Sequence, residues 1–155
     1  MKIQHGNALR LGKSGVLITG LSNSGKSVLT LALIERSHLA GREAVLVGDD
    51  YIKLESVAGQ LFAHVPQQIA GGMEIRGAGL FKMDFEKKTR LDLVVELGGA
   101  GERYPEEHYF KYPGGQLPLL KLPQLGTADV LALCHAVEAV LFRTRWQPEF
   151  AEKSK

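Results

Sequence analysis

Eight residues near the N-terminus constrain the fold of this chain more than any other segment. In order they are Gly20, Leu21, Ser22, Asn23, Ser24, Gly25, Lys26 and Ser27, which match the pattern G-x-x-x-x-G-K-[ST] at every defined position. A β-rich apolar run at residues 16–19 precedes them, and residues 26–38 favour a helix with apolar positions on nearly all its faces. A buried strand that turns through glycines directly into a buried helix predicts an α/β sheet with that helix packed on it.

The composition of these eight residues suits the binding of phosphate. Gly20 and Gly25 allow backbone angles that side chains disfavour, so the loop can turn its N–H groups inward. Those donors and the positive end of the helix dipole would hold the α- and β-phosphates. Lys26 would reach the β- and γ-phosphates, and the Ser27 hydroxyl would bind Mg²⁺. The alternative is a Gly/Ser-rich turn that caps an ordinary helix, but the strand-to-helix context favours a P-loop that binds a nucleoside triphosphate and Mg²⁺.

The rest of the chain predicts one α/β domain over residues 1–155. Gly41 ends the first helix, and a second buried strand at 44–47 completes a βαβ unit, whose crossover is right-handed in nearly all proteins. A long helix at 129–146 has Thr127 as its predicted cap. The remaining predicted strands are a hairpin at 51–55 and 60–65, a strand at 91–97, and a weaker strand at 116–122 that Pro118 interrupts. The predicted sheet is therefore mixed and rich in hairpins.

Composition excludes several functional classes. Of the 155 residues, 45% are apolar and 23% are charged, as in ordinary globular domains. The net charge of +2 is too small to indicate nucleic acid or a membrane surface as a partner. The sequence shows neither a secretory leader nor an apolar run long enough to span a bilayer. We therefore expect a cytoplasmic protein, in which the single cysteine, Cys134, is a buried and inert thiol.

Two adjacent acids follow the second buried strand. Asp49 and Asp50 should stand at the carboxyl edge of the sheet, where α/β proteins bind their ligands. One carboxylate could hold the metal while the other accepts a proton from an attacking hydroxyl. Neighbouring residues on an extended chain point to opposite sides, so both acids need not face the phosphate. A solvated strand end is the alternative.

A second unusual segment spans residues 71–79. Four glycines surround Glu74 and Arg76, too many for a regular strand. Such a backbone could approach a ligand closely, with Glu74 free to meet a metal ion and Arg76 a phosphate. The alternative is a plain glycine-rich turn.

Together these segments resemble a known family. The P-loop followed by Asp49-Asp50, the stretch Met-Glu-Ile-Arg-Gly-Ala-Gly at 73–79, and His5-Gly6 ahead of the P-loop are similar to HPr kinase/phosphorylase. That bacterial enzyme phosphorylates a serine of the phosphocarrier protein HPr and also removes the phosphate. The likeness to its catalytic domain covers nearly the whole chain, as a short form without the N-terminal domain.

The resemblance implies a phosphoenolpyruvate-carboxykinase-like P-loop fold and a role for each matching residue. Asp49 would take the proton from the target serine and return it in the reverse reaction, while Lys26 stabilises the transferring phosphate. Ser27 and Glu74 would hold Mg²⁺. The residues expected near the reacting phosphates are His5, Asp50, Arg76 and Arg103, of which Arg103 resembles the catalytic arginine of the family.

The resemblance also implies partners. We expect HPr or an HPr-like protein as the substrate and a homo-oligomer, a hexamer in the family. Thr127-Ala128 stand where the family has an Arg-Asn pair, at the end of a stretch important for dephosphorylation. That difference favours the kinase direction.

Two other functions fit the P-loop. One is a small-molecule kinase or a phosphoenolpyruvate-carboxykinase-like enzyme, although 155 residues leave little room for a separate substrate domain. The other is a non-catalytic nucleotide-binding regulator. In such a regulator Asp49→Asn would keep biological activity and Lys26→Ala would lose it.

Overall fold

The computed structural model describes residues 1–147, and within them the chain forms two α-helices, twelve strands and a short 3-10 helix. The helices are α1 (Lys26–Leu39) and α2 (Val130–Phe142), and the 3-10 helix is Gln67–Ile69. The strands are β1 (Lys2–His5), β2 (Asn7–Leu11), β3 (Ser14–Thr19), β4 (Ala44–Gly48), β5 (Tyr51–Val57), β6 (Gln60–His64), β7 (Gly72–Ile75), β8 (Gly79–Lys82), β9 (Lys88–Arg90), β10 (Leu93–Leu97), β11 (His108–Tyr112) and β12 (Gly115–Leu122).

A mixed six-stranded sheet forms the centre of the molecule, in the order β11-β12-β10-β3-β2-β4. Strands β3, β10 and β12 are parallel, whereas β2 pairs antiparallel with both β3 and β4. The predicted unit of strand, helix and strand is present as β3-α1-β4. Its two strands run in the same direction but are not neighbours, because β2 forms a hairpin with β3 and offers its other edge to β4.

The inner strands β2, β3 and β10 of the central sheet are buried on both faces, and their side chains alternate between the two faces. Leu9, Val16 and Val95 pack with α1 and α2 in one apolar cluster. Their neighbours Leu17 and Val94 belong to a second cluster with β5 and β6. The fold therefore has three layers: the helices, the central sheet, and a smaller antiparallel sheet of order β1-β5-β6-β9.

The sequence predicted no regular strand in the glycine-rich segment at residues 71–79, and this prediction is wrong. Residues 72–75 and 79–82 pair as the antiparallel hairpin β7–β8. The glycines with positive φ, Gly71, Gly77 and Gly79, lie just before the hairpin and around its turn, so only Gly72 falls within β7. The hairpin is anchored to the helix-side cluster by the buried Met73.

Two other expectations were wrong. Pro118 does not interrupt β12. It pairs only with β11, and the part of β12 that pairs with β10 begins after it, at Leu119. The missing N–H of Pro118 therefore breaks no hydrogen bond between β12 and β10. Helix α2 is shorter than predicted and begins after Asp129, whose Oδ1 accepts a hydrogen bond from the Ala132 N–H at 2.7 Å. Thr127 instead lies in the preceding turn and donates its backbone N–H to Gln124.

Cys134 is fully buried on α2, as predicted. Neither helix in residues 1–147 is long and apolar enough to cross a membrane.

Candidate functional site

The P-loop connects β3 to α1 and requires glycine at two positions. Gly20 has φ +151°, and a Cβ there would lie 2.6 Å from Ser24 Oγ. Gly25 has φ +101° and precedes α1, where a Cβ would lie 2.5 Å from Leu125 Cβ. The Leu125 N–H also donates to the Ser24 carbonyl at 2.9 Å, so the segment after β12 fixes the outer side of the loop.

Two features of the loop fit a phosphate group. No side chain forms a capping hydrogen bond at the N-terminus of α1. The first backbone N–H groups of the helix and its dipole can therefore act on a bound anion. The buried Ser24 Oγ has no hydrogen-bond partner among residues 1–147. A buried polar atom without a partner is costly, and a phosphate oxygen would satisfy it.

Lys26 occupies the centre of the loop. Its ammonium donates hydrogen bonds to the carbonyls of Gly20 and Leu21, each at 2.9 Å. Burial lowers the pKa of Lys26 below its usual value, and the carboxylates of Asp50 and Asp49 oppose that shift. The ammonium is therefore held by the loop backbone, and the two carboxylates favour its charged form.

Asp49 comes directly after β4 and meets both the P-loop helix and the glycine-rich hairpin. Its Oδ1 accepts a hydrogen bond from Ser27 Oγ at 2.6 Å, and its Oδ2 accepts one from the Glu74 N–H at 3.1 Å. The side chain is largely buried, with the residue 9% exposed. Two segments distant in sequence, the P-loop helix and the hairpin, thus converge on one carboxylate.

Asp50 points away from Asp49, toward the N-terminal strand β1. Its Oδ1 lies 2.7 Å from His5 Nε2, and the His5 ring lies against Tyr51 with 5.5 Å between ring centroids. Asp50 has φ +72°, a left-handed conformation that is uncommon outside glycine. This turn separates the two adjacent carboxylates, so only Asp49 contacts the P-loop helix directly.

Glu74 and Arg76 lie beside the loop but differ in how they contact it. Glu74 contributes its backbone N–H, while its exposed side chain forms no hydrogen bond with the described residues. Arg76 donates a hydrogen bond to the Asn23 side chain in the P-loop. The structure therefore places the hairpin against the phosphate-binding loop and leaves the Glu74 carboxylate free.

Arg103 is not brought to these residues. It lies in the exposed segment between β10 and β11, and its guanidinium stands over the Tyr104 ring at 5.5 Å. Within residues 1–147 it makes no hydrogen bond or ion pair.

The donor set suits magnesium bound together with a nucleotide. Residues 1–147 contain no group of three or more His, Cys, Asp or Glu side chains placed to hold a metal ion. Mg²⁺ usually binds through one or two protein oxygens together with substrate phosphates. Ser27 Oγ and the Asp49 carboxylate beside it supply such oxygens next to the phosphate loop.

Sequence reasoning missed Asn7. The Nδ2 atom of this fully buried side chain lies within hydrogen-bonding distance of Asp49 Oδ1 at 2.9 Å, Thr30 Oγ1 at 3.1 Å and Ser27 Oγ at 3.3 Å, so these three acceptors share its two hydrogens. Its Oδ1 accepts a hydrogen bond from the Asp50 N–H at 3.0 Å. The available signal was an amide at the start of the apolar run Asn-Ala-Leu, directly after His5-Gly6.

Known proteins share both the sequence and the fold. HPr kinase/phosphorylase of Bordetella pertussis is 40% identical over 101 residues, which are 60% of this chain and 31% of that protein. The enzyme of the same name from Malacoplasma penetrans is 28% identical over 120 residues, 73% of this chain and 37% of its own length. The chain thus spans about a third of these curated relatives.

A solved structure matches over a larger share. The structure of the Hpr(Ser) kinase/phosphatase from Coxiella burnetii aligns with a TM-score of 0.73 and 28% identity, covering 92% of this chain and 98% of that one. Residues 1–112, which contain the P-loop, both acids and the glycine-rich hairpin, match the family model described as HPr Serine kinase C-terminal domain. The chain belongs to the HPr serine kinase C-terminal domain family.

Proposed function

We propose that this chain transfers the γ-phosphate of ATP, in the presence of Mg²⁺, to a serine of HPr or an HPr-like carrier protein. One observation carries the proposal: the Asp49 carboxylate lies 2.6 Å from the Ser27 hydroxyl of the P-loop, where a base would meet a bound triphosphate. Relatives of this chain are named HPr kinase/phosphorylase, which supports a protein serine as the acceptor.

The P-loop residues hold the phosphates in this proposal. Backbone N–H groups of the loop bind the α- and β-phosphates, and Lys26 leaves its loop carbonyls to bind the β- and γ-phosphates. Ser27 and Glu74 are the proposed ligands of Mg²⁺, with Asp49 beside them. When bound, Mg²⁺ neutralises charge on the phosphate oxygens. Arg76, through its contact with Asn23, holds the hairpin against the loop.

Asp49 carries the proton in the chemical step. The serine oxygen of the carrier attacks the γ-phosphorus and its proton passes to an Asp49 oxygen. The bond from the γ-phosphorus to the β,γ-bridging oxygen breaks, and ADP leaves with the bonding pair. In the reverse direction an oxygen of inorganic phosphate attacks the phosphorus of phosphoserine, and the bond from that phosphorus to the serine oxygen breaks. Protonated Asp49 gives its proton to the serine oxygen, and pyrophosphate leaves.

Two residues are proposed to act around this centre. His5 holds Asp50 through the 2.7 Å contact and so fixes the turn that carries both acids near the reacting phosphate. Arg103 is proposed to neutralise the transferring phosphoryl group once carrier and nucleotide are bound, since its exposed guanidinium forms no hydrogen bond or ion pair with the described residues.

Residues 1–155 are proposed to act as one catalytic domain, in a cytoplasmic homo-oligomer that is hexameric by family resemblance. Transfer of phosphate to HPr in solution can be tested whatever the subunit assembly and the cellular compartment.

The test uses ATP labelled in its γ-phosphate, Mg²⁺ and purified HPr. Label should appear on an HPr serine with the wild-type chain and be absent with Lys26→Ala, which removes the phosphate-binding cation. Addition of unlabelled phosphate should then release label as pyrophosphate. Labelling of a metabolite without labelling of HPr would contradict the proposal.

A further inference from the structure

The buried Asn7 amide joins three parts of the candidate site. It stands at the start of β2, contacts Ser27 and Thr30 on the first turns of α1, and contacts Asp49 and Asp50 in the turn after β4. The fully buried Thr30 hydroxyl donates its own proton to the Lys26 carbonyl at 2.7 Å, so it can only accept from Asn7. The amide therefore connects the P-loop helix to the turn that carries the acids.

The hydrogen-bond partners fix the orientation of this amide. The Asp50 N–H can only donate, so it must face the Asn7 oxygen, and the Asp49 carboxylate can only accept when ionised, so it must face the NH₂ group. Ser27 Oγ donates to Asp49 and accepts from the same NH₂ group. A flipped amide would place its oxygen against the Asp49 carboxylate and its NH₂ group against the Asp50 N–H.

The backbone on either side of Asn7 strengthens this connection. The Gly6 N–H donates to the Asp50 carbonyl at 2.8 Å, so residues 6 and 7 hold both the carbonyl and the N–H of Asp50. Asp50 itself has φ +72° and needs such support. The β2–β4 pairing shifts register between Ala8 and Leu9, where Val47 is the extra residue on β4, and bulges beside active sites commonly redirect a side chain.

We propose that Asn7 is a positioning residue, which sets the distance between the Asp49 carboxylate and Ser27 Oγ for magnesium-dependent phosphoryl transfer. The inference rests on the proposed function, because it gives Asn7 a role in that reaction. Asn7 acts through these two oxygens and not on the phosphates, since its contacts are to Ser27, Thr30, Asp49 and Asp50. Its loss should therefore disturb the metal-dependent step and leave the P-loop backbone intact.

Two substitutions separate positioning from folding. Asn7→Leu is close in size and removes all the side-chain hydrogen bonds. Asn7→Asp keeps an acceptor for the Asp50 N–H but places a carboxylate oxygen against Asp49 in place of the NH₂ donor. Thr89→Val is the matched control, because it removes a buried hydroxyl that packs near Gly15, at the end of β3 opposite the P-loop.

The first readout is steady-state transfer to HPr. Hydrogen bonds to charged groups are strong enough for both Asn7 variants to lose about 10- to 100-fold in kcat, while KM for ATP rises by no more than the loss of the magnesium-dependent gain in nucleotide binding. Thr89→Val should keep the wild-type kcat even if its melting temperature falls. An Asn7→Asp enzyme with wild-type kcat, or Asn7 variants whose activity falls only in proportion to their folded fraction, would overturn the inference.

The second readout needs no transfer and so separates this inference from the proposed function. Nucleotide affinity is measured by fluorescence with a labelled ADP, once with Mg²⁺ and once with EDTA. Both Asn7 variants should bind like wild type in EDTA and lose about tenfold or more of the gain that Mg²⁺ provides. An unchanged magnesium gain overturns the inference, whatever the fate of HPr phosphorylation. A wild-type chain that shows the gain but never labels HPr overturns only the proposed function.

Discussion

Replacing Asp49 by Asn removes the proposed base while keeping the size of the side chain. In the wild-type chain the two carboxylate oxygens of Asp49 together accept hydrogen bonds from Ser27 Oγ, Asn7 Nδ2 and the Glu74 N–H. An asparagine has one acceptor oxygen, which best faces Ser27 and Asn7. Its NH₂ group then opposes the Glu74 N–H across a gap that is 3.1 Å in the wild-type chain.

The lost hydrogen bond and the lost base have different expected sizes. A buried donor left without a partner costs about 1–3 kcal/mol, which for a domain of this size lowers Tm by about 2 to 12 °C. Removal of a general base costs about 10²- to 10⁴-fold in transfer rate. Nucleotide binding in EDTA should change little, because the loop backbone that binds the phosphates is untouched.

The assay compares Asp49→Asn with Asp92→Asn. Asp92 Oδ2 accepts a similar hydrogen bond from the Gly15 N–H at 2.9 Å, but at the opposite end of β3. Both variants are followed by thermal unfolding, by ADP binding and by transfer of labelled phosphate to HPr. We expect both to lose stability and Asp49→Asn alone to lose transfer. An Asp49→Asn enzyme that labels HPr within about threefold of the wild-type rate would refute the assignment of Asp49 as base.

Three further predictions test the packing of α2. Burial raises the pKa of the Cys134 thiol to about 11, so a thiol reagent at pH 8 should label the chain only after unfolding, and rapid labelling of the native chain would contradict it. Leu133→Ala should lower the free energy of unfolding in urea by about 2–5 kcal/mol, and a loss below about 1 kcal/mol would show a loosely packed interface. Asp129→Ala should cost about 1 kcal/mol as a lost N-cap in the same assay, and an equal loss from Thr127→Ala would count against that cap.

Local patterns predicted the parts of the fold that depend on near neighbours. The P-loop, α1 and β4 follow from residues within one βαβ unit, and the β5–β6 hairpin follows from its turn, where Ala58 and Gly59 both have positive φ. The strand order could not be predicted, because β2 pairs with β4 about 35 residues further on, and β10 pairs with β3 across about half of the chain.

The candidate site likewise has a part that a local motif predicts and a part that depends on contacts between distant residues. Lys26 and Ser27 come from one short motif, whereas Asn7 contacts residues 20 to 43 positions away, and no local pattern indicates such contacts. The sequence predicted a metal-binding role for the Glu74 carboxylate. In the structure Glu74 contacts Asp49 through its backbone N–H, which the side-chain type does not specify. The place of Arg103 depends on an irregular exposed segment with few packing contacts, so neither periodicity nor turn chemistry fixes it.

The central claim is that Asp49 and the P-loop together transfer phosphate from ATP to a protein serine. Its most direct test is peptide mapping by mass spectrometry of HPr incubated with ATP, Mg²⁺ and the wild-type or Asp49→Asn chain. The account predicts one phosphorylated serine with the wild-type chain and unmodified HPr with Asp49→Asn, although both chains bind nucleotide. Unmodified HPr with the wild-type chain, or the same phosphoserine at the same rate with Asp49→Asn, would contradict it.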